Sequence, residues 1–179
     1  MNPFLNALGF QSAWWICVAG AGSWLEIPAL IYCAALVCAH LYWSCHRWQE
    51  IKLAALVMSM GIVLDSGLQY FAVIDFHGLS VGPLVPFWLW LLWALLALTL
   101  NSSLNFLKTK PLVLSSVLGL VFGPLSYFAG ASFGAASVER SSTNFWVLGL
   151  AWMLAMPAMV HQAQRILPDD KNPKQRATD

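Results

Sequence analysis

The residue with the clearest chemical potential is Asp65, an acid inside the long apolar run of residues 51–74. An ionised carboxylate at the centre of a bilayer costs about 2.5–3.5 kcal/mol on insertion scales. Asp65 lies near the middle of this run, and no lysine or arginine lies at a comparable depth in another run. We therefore expect it to face the interior of a helix bundle, protonated or hydrogen-bonded, at a site for a ligand, a proton or a substrate. The alternative is a structural hydrogen bond that locks two helices together.

Two further side chains are predicted to accompany Asp65. Gln69 follows it by one helical turn and therefore shares its helix face. Tyr127 lies in the apolar run of residues 112–138, near Pro124, which is expected to kink that helix. The same run carries glycines at the close-approach spacing of membrane helices: Gly119, Gly123, Gly130 and Gly134. We expect this helix to pack against the Asp65 helix and to place Tyr127 near the carboxyl. Plain tight packing without a site is the alternative.

A second set of polar residues lies toward the opposite ends of the helices. Its members have similar predicted depths: Asn6, Gln11, His40, Asn101, Asn105 and His161. Histidines with amides are able to form an acid–base pair, but no HxxxH or HExxH spacing supports a metal site. No metal and no cofactor are predicted, because the sequence has no Gly-rich phosphate loop, no GxSxG motif and no paired carboxylates at a fixed spacing. Charged residues in the loops at the other ends, among them Glu26, are expected to form a solvated rim.

The composition identifies the environment of these residues. Hydrophobic residues make up 59% of the 179-residue chain and charged residues only 9%, whereas soluble domains carry about 25% charged residues. Most of the surface therefore cannot face water, and the lipid bilayer is the predicted surrounding. The sequence has no basic patch with interleaved aromatic residues, which argues against nucleic acid as a partner.

Six apolar runs are long enough to cross a bilayer and must position the candidate residues. The predicted spans are residues 3–22, 24–44, 51–74, 83–104, 112–138 and 145–167. Backbone polar groups in lipid must be paired within helices or closed barrels, and the sequence lacks the alternating strands of a barrel. The predicted fold is therefore an all-α, polytopic transmembrane helix bundle over residues 1–167. Residues 168–179 are polar and are expected to form a disordered cytoplasmic tail.

The orientation of the six predicted spans follows from the basic residues. Six spans place both termini on one side, and every lysine and arginine except Arg140 then falls on that side: Arg47, Lys52, Lys108, Lys110, Arg165, Lys171, Lys174 and Arg176. Cytoplasmic loops carry an excess of lysine and arginine. Both termini are therefore predicted to be cytoplasmic.

Four stretches of the chain carry a resemblance to a known family. They are NALGFQSAWW at residues 6–15, GIVLDSGLQ at 61–69, PFWLWLLWALLALTLNSSL at 86–104 and GPLSYFAGASFGA at 123–135. In this order they resemble a family of small bacterial inner-membrane proteins of unknown function, of about this length. The resemblance implies the family's few polar positions: Asn6, Gln11, Asp65, Asn101 and Tyr127. Relatives are often encoded near cyclopropane-fatty-acid-synthase-like genes, an association that hints at membrane-lipid modification.

These observations favour a lipid-related accessory protein of the bacterial inner membrane, with an acyl chain or another apolar ligand held in a bundle pocket. Small apolar pockets with a few converging polar groups are the usual ligand sites. The predicted ligand-binding residues form an upper set (Asp65, Gln69 and Tyr127) and a lower set (Asn6, Gln11 and Asn101).

Three alternatives remain open from the sequence. In a lipid-modifying enzyme, Asp65 is a general acid or base and needs a second group, for which Tyr127 and His161 are the candidates. In a small proton-coupled transporter, Asp65 carries the proton, although residues 1–75 and 83–167 show no convincing repeat. In an assembly protein, the helix with Gly119–Gly134 docks a membrane-protein partner.

Overall fold

The structure, a computed structural model, describes residues 2–167 and consists almost entirely of helices. Six α-helices follow in chain order: α1 (Pro3–Gly20), α2 (Glu26–Trp43), α3 (Arg47–Tyr70), α4 (Phe87–Leu100), α5 (Leu112–Ser132) and α6 (Ser142–Ile166). A 3-10 helix (Asn105–Thr109) lies between α4 and α5, and two short strands, β1 (Asp75–Phe76) and β2 (Ala136–Ser137), pair antiparallel. The predicted all-helical class is confirmed. The predicted tail at residues 168–179 lies outside the described residues.

Three helices differ from the predicted runs because the chain turns where the sequence is still apolar. α3 starts and stops earlier than predicted, since Ala72 takes a positive φ of 54° just after the helix. α4 begins only after Pro86, so the preceding residues belong to a loop. α5 stops before Gly134, whose φ of 85° leads the chain into β2. Apolar segments therefore form loops at one end of the bundle.

Side-chain caps start two of the helices. Oδ1 of Asn2 accepts a hydrogen bond from the backbone N–H of Phe4 at 2.9 Å, at the start of α1. Oγ of Ser141 accepts one from the backbone N–H of Asn144 at 3.1 Å, at the start of α6. Such caps satisfy N–H groups that the first turn of a helix leaves unpaired.

α4 is the central helix of the bundle. Nearly all of its side chains are buried, and it packs against α1, α2 and α3. A helix that is apolar on every side is stable only when other elements enclose it. The tryptophan-rich and leucine-rich sequence of α4 therefore agrees with its central place.

α5 packs along α6 rather than along α3, which corrects the predicted partner of the glycine-rich helix. A Cβ added at Gly119 would lie 2.3 Å from the carbonyl oxygen of Trp152, and one added at Gly123 would lie 2.2 Å from Cγ of the same residue. Both glycines therefore permit the close approach of α6. A partner surface on the Gly119–Gly134 helix stays a prediction, and within the chain these two glycines are already covered.

The two ends of the bundle are distinct. At the basal end, which holds the start of α1 and the end of α6, Asn6 contacts Ser103 and Gln164 contacts Lys108. The opposite end, the cap end, carries β1, β2 and the loop between β1 and α4. Within residues 2–167, four helices are long and apolar enough to cross a membrane, namely α2, α3, α5 and α6, and α4 is a shorter apolar helix.

Glu26 is buried at the cap end, which corrects its expected place on a solvated rim. Its Oε1 accepts a hydrogen bond from the backbone N–H of Leu79 at 2.7 Å, and its Oε2 accepts one from that of Gly22 at 3.1 Å. Glycine at position 78 leaves room for this carboxylate, because a Cβ there would lie only 2.6 Å from Oε1 of Glu26. Glu26 thus fastens the loop after β1 to the turn between α1 and α2.

Glu26→Gln is expected to lower the free energy of unfolding by about 1 kcal/mol. The amide keeps one acceptor oxygen, whereas two backbone N–H groups require one each. Thermal unfolding of the purified protein, followed by circular dichroism, measures the change. Glu139→Gln, an exposed acid at the same end, is the matched control and should change stability by less than about 0.5 kcal/mol. Equal effects of the two substitutions would contradict the role of Glu26.

Candidate functional site

Asp65 is fully buried, and side chains from two other helices donate hydrogen bonds to it. Nε1 of Trp93, on α4, donates to Oδ2 at 2.7 Å, and the hydroxyl of Tyr127, on α5, donates to Oδ1. The predicted contact between Asp65 and Tyr127 is therefore present, although α5 does not pack along α3. A buried polar group is tolerated when its hydrogen bonds are made, and here each carboxyl oxygen has a donor.

Asp65 lies in the last turns of α3, which corrects its expected place near the middle of a span. The helix runs from Arg47 to Tyr70 rather than over residues 51–74. Tyr127 likewise lies in the last turns of α5. The carboxyl and its phenol partner therefore lie nearer to the cap end than to the basal end.

Aromatic rings hold the donors of Asp65 in place. Trp152, on α6, stacks on Trp93 with ring centroids 4.9 Å apart and an angle of 14° between the planes. Tyr127 meets the Trp152 ring edge-on at 6.1 Å. Gly61 makes room for this stack, because a Cβ there would lie 2.0 Å from Cδ2 of Trp93.

Neither tryptophan is predictable from sequence as a neighbour of the acid. The sequence signal that points toward them is Gly61, one helical turn before Asp65, which leaves space for a large ring beside the carboxyl. Gly61 does not identify the residue that fills this space, because the apolar sequences of the helices do not show which helix packs against α3. The contact between α3 and α4 supplies the answer.

Asp65, Trp93, Tyr127 and Trp152 form what we call the carboxyl cluster. A cavity of about 690 Å³ lies beside it, enclosed by α1, α4, α5 and α6. Ligand sites typically measure about 300–1,000 Å³ and are mostly apolar with a few polar groups. The cavity has this character: leucine, phenylalanine and tryptophan side chains form most of its wall, and Asp65, Tyr127, Gln11 and Ser126 supply polar groups. Among its lining residues there is no lysine, arginine or histidine.

The mouth of the cavity lies between α1 and α5. The exposed side chains in its wall come from these two helices alone: Gln11, Trp15, Phe122 and Leu125. Phe122 and Leu125 are 61% and 50% exposed, and both lie in the middle of α5. The opening is therefore sideways, through the apolar flank of the bundle, rather than through either end.

The Trp152 ring lines the cavity, but its Nε1 is buried and makes no hydrogen bond of normal geometry in the described part of the chain. Tyr127 is the polar side chain that interacts with this N–H group. The Trp152 ring therefore contributes an apolar face to the cavity.

The sequence-predicted ligand-binding residues separate into three places. Asp65, Tyr127 and Gln11 line the cavity. Gln69 does not line it: its Oε1 accepts a hydrogen bond from the backbone N–H of Phe76 at 3.2 Å and so fastens β1 to the end of α3. Asn6 and Asn101 lie at the basal end, away from the cavity wall.

Asn6 and Asn101 belong to a buried network centred on Glu50. Oε2 of Glu50 accepts a hydrogen bond from Nδ2 of Asn101 at 3.1 Å, and Oε1 lies 3.5 Å from Nε2 of His40. Nδ1 of His40 lies 3.4 Å from Nδ2 of Asn6, and Nζ of Lys108 donates to Oδ1 of Asn101 at 3.0 Å. The network joins α1, α2 and α3 to the residue that follows α4 and to the 3-10 helix. Asn6 and Asn101 are thus hydrogen-bonded within this network and do not line the cavity, and a role for them in ligand binding stays a prediction.

The fold and the site together define an all-helical protein with the apolar helices of a membrane protein and an internal apolar cavity. The chain belongs to the family described as a protein of unknown function, DUF2878, which matches residues 3–158. The resemblance to a family of unknown function is thereby confirmed. Comparison with curated proteins gives no match, and comparison with solved structures gives none either.

Proposed function

We propose that the protein binds the acyl chain of a membrane lipid, or another apolar ligand, in the cavity beside Asp65. The single observation that carries this proposal is the sideways mouth between α1 and α5, which is bordered by exposed apolar side chains at mid-helix. A ligand that arrives through such a mouth comes from the hydrocarbon of the bilayer. Asp65 and Tyr127 then act as polar anchors at one end of the cavity.

The proposed setting is the bacterial inner membrane, with six spans and the basal end in the cytoplasm. Arg47, Lys52, Lys110 and Arg165 belong to segments at the basal end, whereas Arg140 lies at the cap end, in agreement with an excess of positive charge on the cytoplasmic side. α4 has 14 residues and rises about 21 Å, which is less than a bilayer core of about 30 Å. It is enclosed by other helices, so its ends do not expose backbone to lipid.

Native mass spectrometry of the protein extracted from its membrane tests the proposal. Ala129→Phe places a ring inside the cavity, because Ala129 lines its wall on α5. Val117→Phe is the matched control, since Val117 is 51% exposed on the same helix and does not line the cavity.

We expect the natural protein and Val117→Phe to retain an apolar, chain-bearing ligand. Ala129→Phe should retain about tenfold less, which corresponds to about 1.4 kcal/mol. Absence of any such ligand from all three proteins, or equal retention by all three, would contradict the proposal.

A lipid-modifying enzyme is the second candidate, and one observation favours it. Asp65 and Tyr127 are in hydrogen-bond contact and both line the cavity, which provides the two groups that acid–base chemistry requires. His161, the other sequence-predicted candidate, is exposed on α6 and does not line the cavity. If the protein is such an enzyme, Asp65→Asn changes the composition of extracted membrane lipids. A composition identical to that of cells with the natural protein would exclude catalysis by this carboxyl.

A further inference from the structure

A second cavity, which we call the arginine cleft, lies at the cap end, between the end of α5 and the start of α6. Its volume is about 540 Å³. Its wall comes from these two helices and from the segment that joins them: Leu125, Phe128, Ala129, Ser132, Arg140, Ser141, Ser142 and Phe145. Among these lining residues there is one cation and no aspartate or glutamate, so the cleft is suited to an anion.

Arg140 is an accessible cation without an acidic partner. It is exposed, and within residues 2–167 no carboxylate forms an ion pair with it. One of its guanidinium N–H groups donates to Oγ of Ser132, which in turn donates to the carbonyl oxygen of Phe128 at 2.7 Å. A guanidinium has five N–H donors. Ser132 therefore orients the Arg140 side chain and leaves most of its donors unused.

Two serine hydroxyls add donors to the arginine cleft. Oγ of Ser141 accepts a hydrogen bond from the backbone N–H of Asn144 at 3.1 Å, and its own O–H donates to no group in the described part of the chain. Ser142 is exposed, and its hydroxyl makes no hydrogen bond within residues 2–167. The fork of a guanidinium matches two oxygens of a phosphate or a carboxylate. The three side chains together can therefore bind an oxyanion.

The arginine cleft becomes apolar toward the middle of the helices. The rings of Phe128 and Phe145 stack there, with centroids 6.4 Å apart and an angle of 14° between the planes. Leu125 lies two turns before Ser132 on α5, which is roughly 10 Å along the helix axis. A small inorganic anion would leave this apolar wall uncovered. An anion that is joined to hydrocarbon covers both parts of the cleft.

The arginine cleft meets the larger cavity at Leu125 and Ala129, which line both. These two residues are one turn apart and therefore share a face of α5, and Leu125 borders the mouth of the larger cavity. Two apolar surfaces thus start from one oxyanion site: the larger cavity on one side, and the wall with Phe128 and Phe145 on the other. Two hydrocarbon chains next to one phosphate are the plan of a phospholipid, whereas a fatty acid has only one chain.

We propose that Arg140, Ser141 and Ser142 bind the phosphate of a membrane phospholipid, one acyl chain of which crosses Leu125 and enters the larger cavity. This inference rests on the proposed function, because it takes the larger cavity as the place of the chain. It adds the class of ligand, a phospholipid held at its phosphate rather than a neutral lipid or a fatty acid.

Photo-cross-linking in micelles of dodecyl maltoside, which contain no phosphate, tests this inference. Three probes carry the same diazirine-labelled acyl chain: a phosphatidylglycerol, a diacylglycerol and a free fatty acid. After irradiation, cross-linked residues are identified by mass spectrometry. Met156 lines the larger cavity but not the arginine cleft, and it is compared with Leu154, which lies on the same helix, is 69% exposed and lines neither. The ratio of the two yields removes the contribution of simple partitioning into the micelle.

We expect the Met156 to Leu154 ratio to be about tenfold higher for the phosphatidylglycerol than for the other two probes. Arg140→Gln should abolish this preference and leave the diacylglycerol ratio unchanged, which shows that the variant is folded. Arg165→Gln is the matched control and should keep the preference, because Arg165 is exposed on α6 at the basal end and lines neither cavity. Millimolar inorganic phosphate in a parallel sample has no chain and should also leave the preference intact.

Each outcome has a distinct meaning. Equal ratios for all three probes, a fatty-acid ratio as high as that of the phosphatidylglycerol, or a preference that persists in Arg140→Gln would overturn the phosphate site and leave chain binding in place. Loss of the preference in inorganic phosphate would assign the arginine cleft to free phosphate instead of a lipid. Absence of cavity cross-links with every probe would overturn the proposed function itself, and this inference with it.

Discussion

Gly61→Ala is expected to lower the free energy of unfolding by about 3 kcal/mol, at the upper end of the usual cost of overpacking. A Cβ at this position would lie 2.0–2.3 Å from three atoms of the Trp93 ring. The ring has no free direction in which to move, because it is buried, stacked on Trp152 and hydrogen-bonded to Asp65. The added methyl group must therefore separate α3 from α4 or break these contacts.

Gly67→Ala is the matched control for this prediction. Gly67 lies on the same helix, and a Cβ there would meet nothing within 4 Å. Alanine in a helix interior is favoured over glycine by about 0.5–1 kcal/mol, so this substitution should raise stability. Unfolding of both variants, followed by tryptophan fluorescence, measures the difference. Two changes of the same sign and size would show that Trp93 does not depend on the space at position 61.

The helix count and the sheltered acid are predictable from sequence for a common physical reason. Carboxylates and unpaired backbone groups are too costly in hydrocarbon, so apolar runs form helices and Asp65 turns inward. The contact with Tyr127 is expected from packing of α5 along α3, and it is present although α5 packs along α6 instead. Residues 2–167 form six α-helices, and the contact between Asp65 and Tyr127 is present.

The sequence does not predict in the same way which helices pack against each other. In a protein whose surface and interior are both apolar, hydropathy does not distinguish a lipid-facing side from a packed one. Gly119 and Gly123 indicate a close approach, but the helix that approaches is α6 and not α3. α4 is apolar on all sides, which indicates burial without naming the helices around it.

The hydrogen-bond partners of the polar residues outside the carboxyl cluster are equally unpredictable from the sequence. Gln69 shares the helix face of Asp65 in sequence, yet it binds the backbone of Phe76 because β1 folds back over the end of α3. Asn101 pairs with Glu50, a residue that the sequence places in a polar connector. Their partners come from loops and helix ends, where periodicity carries no information.

Tyr127→Phe is expected to lower the free energy of unfolding by about 2 kcal/mol. The hydroxyl donates to Oδ1 of Asp65 in a buried site, and leaving a buried acceptor unsatisfied costs about 1–3 kcal/mol. Phenylalanine keeps the ring contacts with Phe76 and Trp152, so the change isolates the hydroxyl. Tyr70→Phe is the matched control, since Tyr70 is 81% exposed on α3. It should change stability by less than about 0.5 kcal/mol.

A double-mutant cycle with Asp65→Asn completes this prediction. If Tyr127 acts on stability through the carboxyl, its substitution costs much less once Asp65 is an amide, because the strong acceptor is gone. The expected coupling between the two changes is about 1–2 kcal/mol. Additive losses, or a Tyr127→Phe protein as stable as the natural one, would show that the phenol does not hold the carboxyl. The cavity would then lose the anchor on which both its proposed ligand and its acid–base alternative depend.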